Sequence, residues 1–474
     1  MAETLTWTKE AILKHLQKSK DLVASSMIKD LIATHNDRHE KMKQLYGEYK
    51  GRVPILEKKP AADDGVNNCL PHDFRGEIVD QKTGYSFGNP ITYTVDSAPY
   101  AEDESPEKGK KTEAWKTATK NVAKFVTKNQ LQSLDNRTGQ IGSICGSASR
   151  LLYIDGNKEV RTMHYDPWET IFIKDATIDT VVFAMIYYKM QHMATDGSVE
   201  DEYTRVEWYD DQFVYFYNEV NEVFELDKEK PKEQHHFKMV PLLEFPNKPE
   251  RQGDFEKVRE IVNSYDLIQS NNIDELEAFR LAYLIFYGVS LDDDTLQKMK
   301  EQGGLEMDAE GKAEWLTKEM QSEFVENVLN RLRNDAYRFA KAVDMSDEKF
   351  SGSGESGESR KWKLKTLTDD AMNKEREFEL ATKKMFEVIN THWKMFTIQF
   401  EPEFLKMQFT PNLPADLLHE AETTSKLKGN VSEETRLGLL SFVDNPINEI
   451  IRMNEEANTM FDEELQKLGI TASN

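Results

Sequence analysis

Cysteine is nearly missing from this sequence: Cys69 and Cys145 are the only two among 474 residues. They form no C-x-x-C, which removes zinc knuckles and dithiol redox motifs and leaves reduced thiols in a cytoplasmic compartment as the expectation. Long apolar runs are missing as well. No stretch of about 18 apolar residues occurs, so no membrane-spanning helix is expected. The amphipathic start MAETLTWTKEAILKHL lacks the apolar centre of a signal peptide. Positive charge is in deficit, with 61 Lys and Arg against 85 Asp and Glu and a net charge of −24. A protein that grips nucleic acid usually carries a basic patch. This balance fits either plain solubility or a surface that must not stick to nucleic acid.

Catalytic and cofactor signatures are equally thin. His35 and His39 lie four apart on a helical stretch, but a metal site needs further ligands and supporting partners, so solvated surface histidines are expected. His235 and His236 are adjacent near a strand end and should face opposite ways. Cys145, in Gly142-Ser-Ile-Cys-Gly-Ser, has neither G-x-S-x-G spacing nor a paired His. Its small neighbours suit close helix packing, and the stretch lacks the Lys of a P-loop. Asp292-Asp293-Asp294 resembles part of a calcium loop without its Gly and closing Glu. A solvated acidic turn or a partner-docking surface remains. Gly352, Gly354 and Gly357 spell G-x-G-x-x-G, but a helical pattern precedes them where a dinucleotide fingerprint needs a strand. No metal and no cofactor are expected.

What is present is polarity and helix. Hydrophobic content is 38% and charged content 31%, polar for a chain of this length, which suggests an elongated or ring-forming subunit with much exposed helix. Residues 5–50 read as helix in two pieces, the second with a stripe of Ile28, Leu31, Ile32, Met42 and Leu45. A short helix from 74 runs into a turn at Gly84, Gly88 and Pro90 and then the β-prone Ile91–Val95. Residues 97–112 are highly charged, and 113–147 return to helix. The stretch 150–245 predicts an antiparallel meander of about six strands. From about 255 the pattern is helical through Gly288, and 289–321 is a short mixed insert. Helix resumes over 322–344 with Phe324, Val328, Leu332, Ala336, Phe339 and Val343 in step. A Gly/Ser loop, SGSGESGES, follows at Ser351–Ser359. A second long helix leaves from Arg360 to about Trp393, and 411–474 read as helical. A polar loop between two long helices is not how a compact core is usually closed, and such loops tend to touch something that moves.

The order of these segments resembles the portal proteins of tailed bacteriophages, in the branch of long-tailed phages of Gram-positive bacteria. The resemblance covers nearly the whole chain and is most specific at Gly84–Tyr93, Val240–Asp254 and Phe350–Leu364. It implies an α+β, mainly helical portal fold that assembles as a ring around a central channel. The wing would be 1–254, stem helix 1 255–289, the clip 290–321, stem helix 2 322–343 and the tunnel loop 344–359. The wing-crossing helix and return would be 360–411, and the crown 412–474.

The implied function is structural and non-enzymatic. A dodecamer at one capsid vertex of the virion, assembled in the host cytoplasm, would pass double-stranded DNA during packaging and ejection. Its implied partners are the terminase large subunit, scaffold and major capsid protein, then head-completion and adaptor proteins, with no membrane. Lys349, Ser351, Ser353, Glu355, Ser356 and Arg360 would face the channel, and Asp292, Asp293, Asp294, Lys298 and Glu301 would meet partners. The loop carries an extra Gly-Glu-Ser relative to the family pattern, which changes its reach. Lys361 and Lys363 would either touch phosphates in passing or pair with Asp369 and Asp370. Two other classes compete with this reading: a capsid-assembly adaptor without a channel, and a metal-dependent nucleic-acid enzyme using Mg²⁺-binding carboxylates.

Overall fold

The computed structural model describes residues 9–18, 23–60, 66–97, 108–175, 180–193, 199–279, 283–287, 312–316, 322–346, 364–412 without 397 and 399, and 417–456 without 441, 444–445, 447–448 and 455. The fold is α+β and mainly helical, as expected.

Two helices open the chain, α1 (Lys9–Lys18) and α2 (Ser25–Tyr49). The apolar stripe of α2 is real: Ile28, Leu31, Met42 and Leu45 are buried at helical spacing. Next come α3 (Phe74–Phe87), β1 (Thr92–Val95), α4 (Lys108–Lys128) and α5 (Leu131–Cys145). Gly84 lies inside α3, so the expected turn begins one helical turn later, at Gly88. The single helix expected over 113–147 is two, because Gln130 adopts φ 49 between α4 and α5. Small residues do allow close packing here. A Cβ on Gly139 would sit 2.3 Å from the Phe87 ring, and Gly146 ends α5 at φ +84 with no room for a side chain against Arg251 O.

The β-rich stretch is two sheets rather than one meander. β2 (Ser147–Ile154) is central to a three-stranded antiparallel sheet, between β3 (Val160–Tyr165) and β10 (Leu242–Pro246). β4 (Thr170–Lys174), β5 (Val181–Met193), β6 (Val199–Tyr209), β7 (Phe213–Val220) and β8 (Val223–Leu226) form the meander proper, with β9 (Lys232–Gln234) also paired to β7. Alternation along β5 buries both faces. Phe183, Met185 and Tyr187 pack with Ile28 and Leu31 of α2, while Ala184 and Ile186 pack with Leu151 and Leu242 of the smaller sheet. A short apolar run does not reveal from sequence which sheet it joins, so β2, β3 and β10 read as one meander with β5 to β8.

Beyond the sheets run α6 (Arg259–Phe279), β11 (Tyr283–Tyr287), β12 (Lys312–Leu316), α7 (Ser322–Ala340) and α8 (Lys365–Trp393). The helix expected to continue to Gly288 stops at Phe279. Tyr283–Tyr287, a run of aromatic and branched residues, pairs antiparallel with Lys312–Leu316 instead. The first half of α6 packs on the last turns of α7 through Val262, Tyr265, Ala336 and Tyr337, so the two helices are antiparallel. The stripe expected on α7 is only half right. Ala336 is buried, but Phe324 and Phe339 are exposed, and Leu329, Tyr337 and Ala340 complete the buried face. β13 (Leu405–Gln408) pairs with β1, and α9 (Leu417–Lys426) and α10 (Glu433–Leu437) follow.

Candidate functional site: the buried anchor of the 344–359 loop

The residues expected to face a channel, Lys349, Ser351, Ser353, Glu355, Ser356 and Arg360, lie outside the described residues. So do Asp292, Asp293, Asp294, Lys298 and Glu301, the G-x-G-x-x-G glycines, and Lys361 and Lys363. What is described is the base from which the loop springs, at Asp344–Ser346 on one side and Leu364 on the other.

Each end of the loop is tied to α3. The Gln81 side chain clamps the Val343 backbone in both senses, donating to Val343 O at 2.7 Å and accepting from Val343 N at 2.7 Å. One turn further along α3, Tyr85 OH is 2.8 Å from Thr368 Oγ1, and Tyr85 packs with Leu367 and Ala371 of α8. Arg333 pairs with Asp344 at 2.6 Å and also reaches Ser346 Oγ, so α7 grips the residues that follow it.

Beneath these contacts lies a cluster of full charges. Asp370 and Lys374 are four apart on α8 and share one face. Asp370 receives Lys82 of α3 at 2.8 Å, Lys248 at 3.0 Å and Lys341, at the end of α7, at 3.0 Å. Asp254 receives Lys374 at 2.6 Å, Lys248 at 3.2 Å and Lys82 at 3.6 Å. Lys374 also donates to Ser143 Oγ at 2.6 Å, and the Asp254 amide donates to Ser143 O at 2.7 Å, which brings α5 into the same knot. Lys82, Asp254, Asp370 and Lys374 are all buried.

The electrostatics keep both carboxylates charged. Burial pushes Asp254 up, but Lys374, Lys82 and Lys248 together hold it well below the usual carboxylate range. The same opposition leaves Asp370 at about 2. For Lys374, burial wins over Asp254 and its pKa falls, whereas Lys248, pulled by both aspartates, is raised. Such a knot sets opposite charges against one another at short range. What it supplies is a directional joint, in which each pair holds only at one register of the helices that carry it.

The joint was missed from sequence although its parts lie in or beside the stretches that carry the resemblance. Lys82 precedes Gly84–Tyr93 by two residues, Lys248 and Asp254 are in Val240–Asp254, and Asp370 follows Leu364 by six residues. The joint's charged residues, among 146 in all (85 acidic, 61 basic), give no sign of burial until the chain is folded. Within the described structure Asp370 is taken by Lys82, Lys248 and Lys341, and Asp369 by Lys365 at 3.1 Å.

A second buried polar cluster corrects the reading of the helical histidines. His35 and His39 are not solvated surface groups. Each places Nδ1 on Tyr187 OH, at 2.9 and 3.0 Å, and His39 Nδ1 is also 2.7 Å from Trp168 O. Burial, reinforced by Arg38 and His39, pushes His35 down to about 3, so it stays neutral. Among the described residues no three His, Cys, Asp or Glu side chains converge in a way that could hold a metal ion. Cys145 is buried with its thiol pushed up by burial, an inert packing residue. No described helix is long and apolar enough to cross a membrane.

Comparison with known proteins gives a consistent match. The family model described as "Phage portal protein, SPP1 Gp6-like" matches residues 28–460. The chain is 24% identical over 472 residues to the portal protein of Bacillus phage SPP1, covering 92% of this chain and 86% of that one. It is 22% identical over 441 residues to the portal protein of Clostridium phage phiCD119, covering 88% and 92% respectively.

Proposed function

This chain belongs to the SPP1 Gp6-like family of phage portal proteins, and from that premise we propose that it works as one subunit of a ring through which double-stranded DNA enters and leaves the capsid. In this reading α6 and α7 form the stem, the segment between them is the clip that docks the terminase large subunit and later the head-completion proteins, and 344–359 is the loop that meets the duplex. Residues 1–254 would supply the wing and 412–474 the crown. The ring in the virion would be a dodecamer, in contact with scaffold and major capsid protein, with turnover left to a separate motor ATPase.

The observation that carries this reading is the anchor. A loop that meets a moving polymer must transmit force without unravelling the helices behind it. Here both loop ends are fixed to α3 by Gln81 and Tyr85, and the helices behind them by the Lys82–Asp370 and Lys374–Asp254 pairs. Net charge points the same way. At −24 the chain is poor at the phosphate neutralisation that would hold a duplex in place through counterion release. A conduit also has no use for base readout.

The test is negative-stain electron microscopy and native mass spectrometry of the purified full chain, repeated with the cognate scaffold. The expected result is a closed ring with an axial opening wide enough for duplex DNA. A uniform monomer under both conditions overturns the proposal. In reconstituted packaging, Lys349→Ala combined with Arg360→Ala should alter the rate of DNA translocation while ring assembly is unchanged.

A further inference from the structure

A cavity of about 650 Å³ lies where the end of β2, one face of β6 and β7, and the end of α8 meet. Its size is within the range of about 300–1,000 Å³ that small-ligand sites occupy. Glu207 and Tyr209 of β6 line it together with Phe216 and Val214, their partners across β7. Tyr153 of β2 lines another side, and His392 and Phe396 line it from the last turn of α8 and just beyond. Glu207 is the chemical centre. Its Oε1 accepts from Tyr188 OH at 2.9 Å and its Oε2 from Tyr209 OH at 2.5 Å. Burial, and then Glu207 itself, pushes both phenols up, so they stay donors. A carboxylate has about four acceptor positions, so two are left. Among the described residues no cation is paired with it. Arg205, two residues along β6, is committed to Asp227 at 2.8 Å, and Lys158, which also lines the cavity, is exposed. The other acids of the lining have their own cations: Asp155 has Arg161 at 2.9 Å, and Glu233 has Lys230 at 2.5 Å.

A second unused acceptor lines the same cavity. His392 is 5% exposed, and its ring is engaged by the backbone of Lys158 and His236. Burial pushes its pKa down, so the imidazole is neutral. Its Nδ1 is buried with no hydrogen-bond partner, which leaves a lone pair with nothing to accept from. The negative end of the α8 dipole lies at the same place. Aromatic rings make up much of the remaining lining, and this sheet already receives cations on one of them: Arg205 and Lys230 each sit 5.0 Å from the Phe216 ring. We propose that the cavity binds a small organic cation, an alkyl ammonium or guanidinium with an apolar stem. Its charge sits at Glu207, a donor reaches His392 Nδ1, and the stem lies against the aromatic rings. An anion would meet Glu207 unneutralised, and an apolar molecule would leave both acceptors unserved. A bare metal ion lacks ligands, since no three His, Cys, Asp or Glu converge among the described residues. The same chemistry can arrive free, as a polyamine, or on a basic peptide. The inference does not depend on the ring reading, because one subunit supplies every group it uses.

Isothermal titration calorimetry on the full chain tests this, at about 0.15 M salt so that charges more than about 8 Å apart are screened. The probes are spermidine, acetyl-Ala-Lys-Ala-amide and acetyl-Ala-Arg-Ala-amide, with acetyl-Ala-norleucine-Ala-amide as the neutral match of the lysine peptide. At least one cationic probe should bind saturably, at one site per subunit, and at least about tenfold more tightly than the neutral peptide. Glu207→Gln keeps the shape of the side chain and an acceptor for a phenol, and should abolish that preference. Phe396→Ala, at an exposed position, should weaken binding severalfold. Glu225→Gln removes the same charge from an exposed position on β8 and should change nothing. Thermal melts check that Glu207→Gln is folded; if it is not, Phe396→Ala against Glu225→Gln carries the test. Tighter binding of spermidine identifies a free polyamine as the source, and tighter binding of a peptide identifies a basic segment of a protein; either supports the site. No saturable binding by any cationic probe overturns the inference, as does a neutral peptide that binds equally well. Equal losses in Glu207→Gln and Glu225→Gln also overturn it, since they would mark diffuse attraction to a chain of net charge −24.

Discussion

Two of the polar clusters buried among the described residues are built on opposite plans. Beneath the loop, Asp254 and Asp370 stand among Lys82, Lys248 and Lys374 as full charges. Under the six-stranded sheet, Tyr187 joins His35 and His39, and burial holds His35 neutral. The neutral cluster seats one helix on one sheet. The charged cluster joins α3, α5, α8, the end of α7 and the turn after β10, segments up to 288 residues apart in sequence. The contrast teaches where directional contacts are used. Apolar packing alone lets long helices slide by a fraction of a turn, whereas opposed charges at 2.6–3.0 Å permit one register.

The sharpest way to break the comparison is Asp254→Asn. It leaves Lys374 and Lys82 buried with too little counter-charge and should cost about 3–5 kcal/mol, read as a fall in denaturant midpoint. An unchanged midpoint would mean that the charges are not what holds the joint. Tyr187→Phe attacks the neutral cluster. It removes a hydroxyl shared by two imidazoles and should cost about 1–3 kcal/mol, with no effect on the loop base.

Acid titration separates the two plans by pH. His35 binds its proton at about 3 when folded and near 6.5 when unfolded, so its contribution is full above 6.5 and is lost as pH falls toward 3. Asp370, lowered from 3.8 to about 2, keeps its contribution until pH falls below about 4. His35→Gln should therefore flatten part of the stability loss between pH 6 and 4 and leave the steeper loss below pH 4 intact. His164, His235 and His392, also lowered chiefly by burial, add to the upper limb. If the His35 variant tracks the parent over the whole range, the neutral plan is wrong. The smallest effect belongs to Lys341→Ala. Its ammonium is half exposed, so stability should change by about 1 kcal/mol or less, while hydrogen exchange at the Val343 amide rises as the loop base loosens.

Much of this fold could be read from the chain because periodicity reports burial directly. The α2 stripe, the β5 to β7 alternation and the length of α8 were all legible. Three kinds of information were not. The Tyr283–Tyr287 strand looks like more helix until its partner, Lys312–Leu316, is known. Phe324 and Phe339 look like core because exposed aromatics and buried ones are the same letters. The loop anchor was invisible because its lysines and aspartates are buried only by long-range packing, and nothing local distinguishes Lys82 or Lys374 from a solvated neighbour.

One feature of the backbone carries a consequence of another kind. The chain departs along α6, turns back through paired strands in fixed register, and returns along α7 to the level at which it left. The α6–α7 pair and the β11–β12 pairing thus bracket residues 280–321 at two junctions, and the lysine–aspartate joint beneath the loop draws on residues outside that span. Recombination between related genomes can exchange such a piece at those junctions and leave the lysine–aspartate joint untouched. A lineage can thereby acquire a new tip in one step while inheriting the rest of the subunit unchanged.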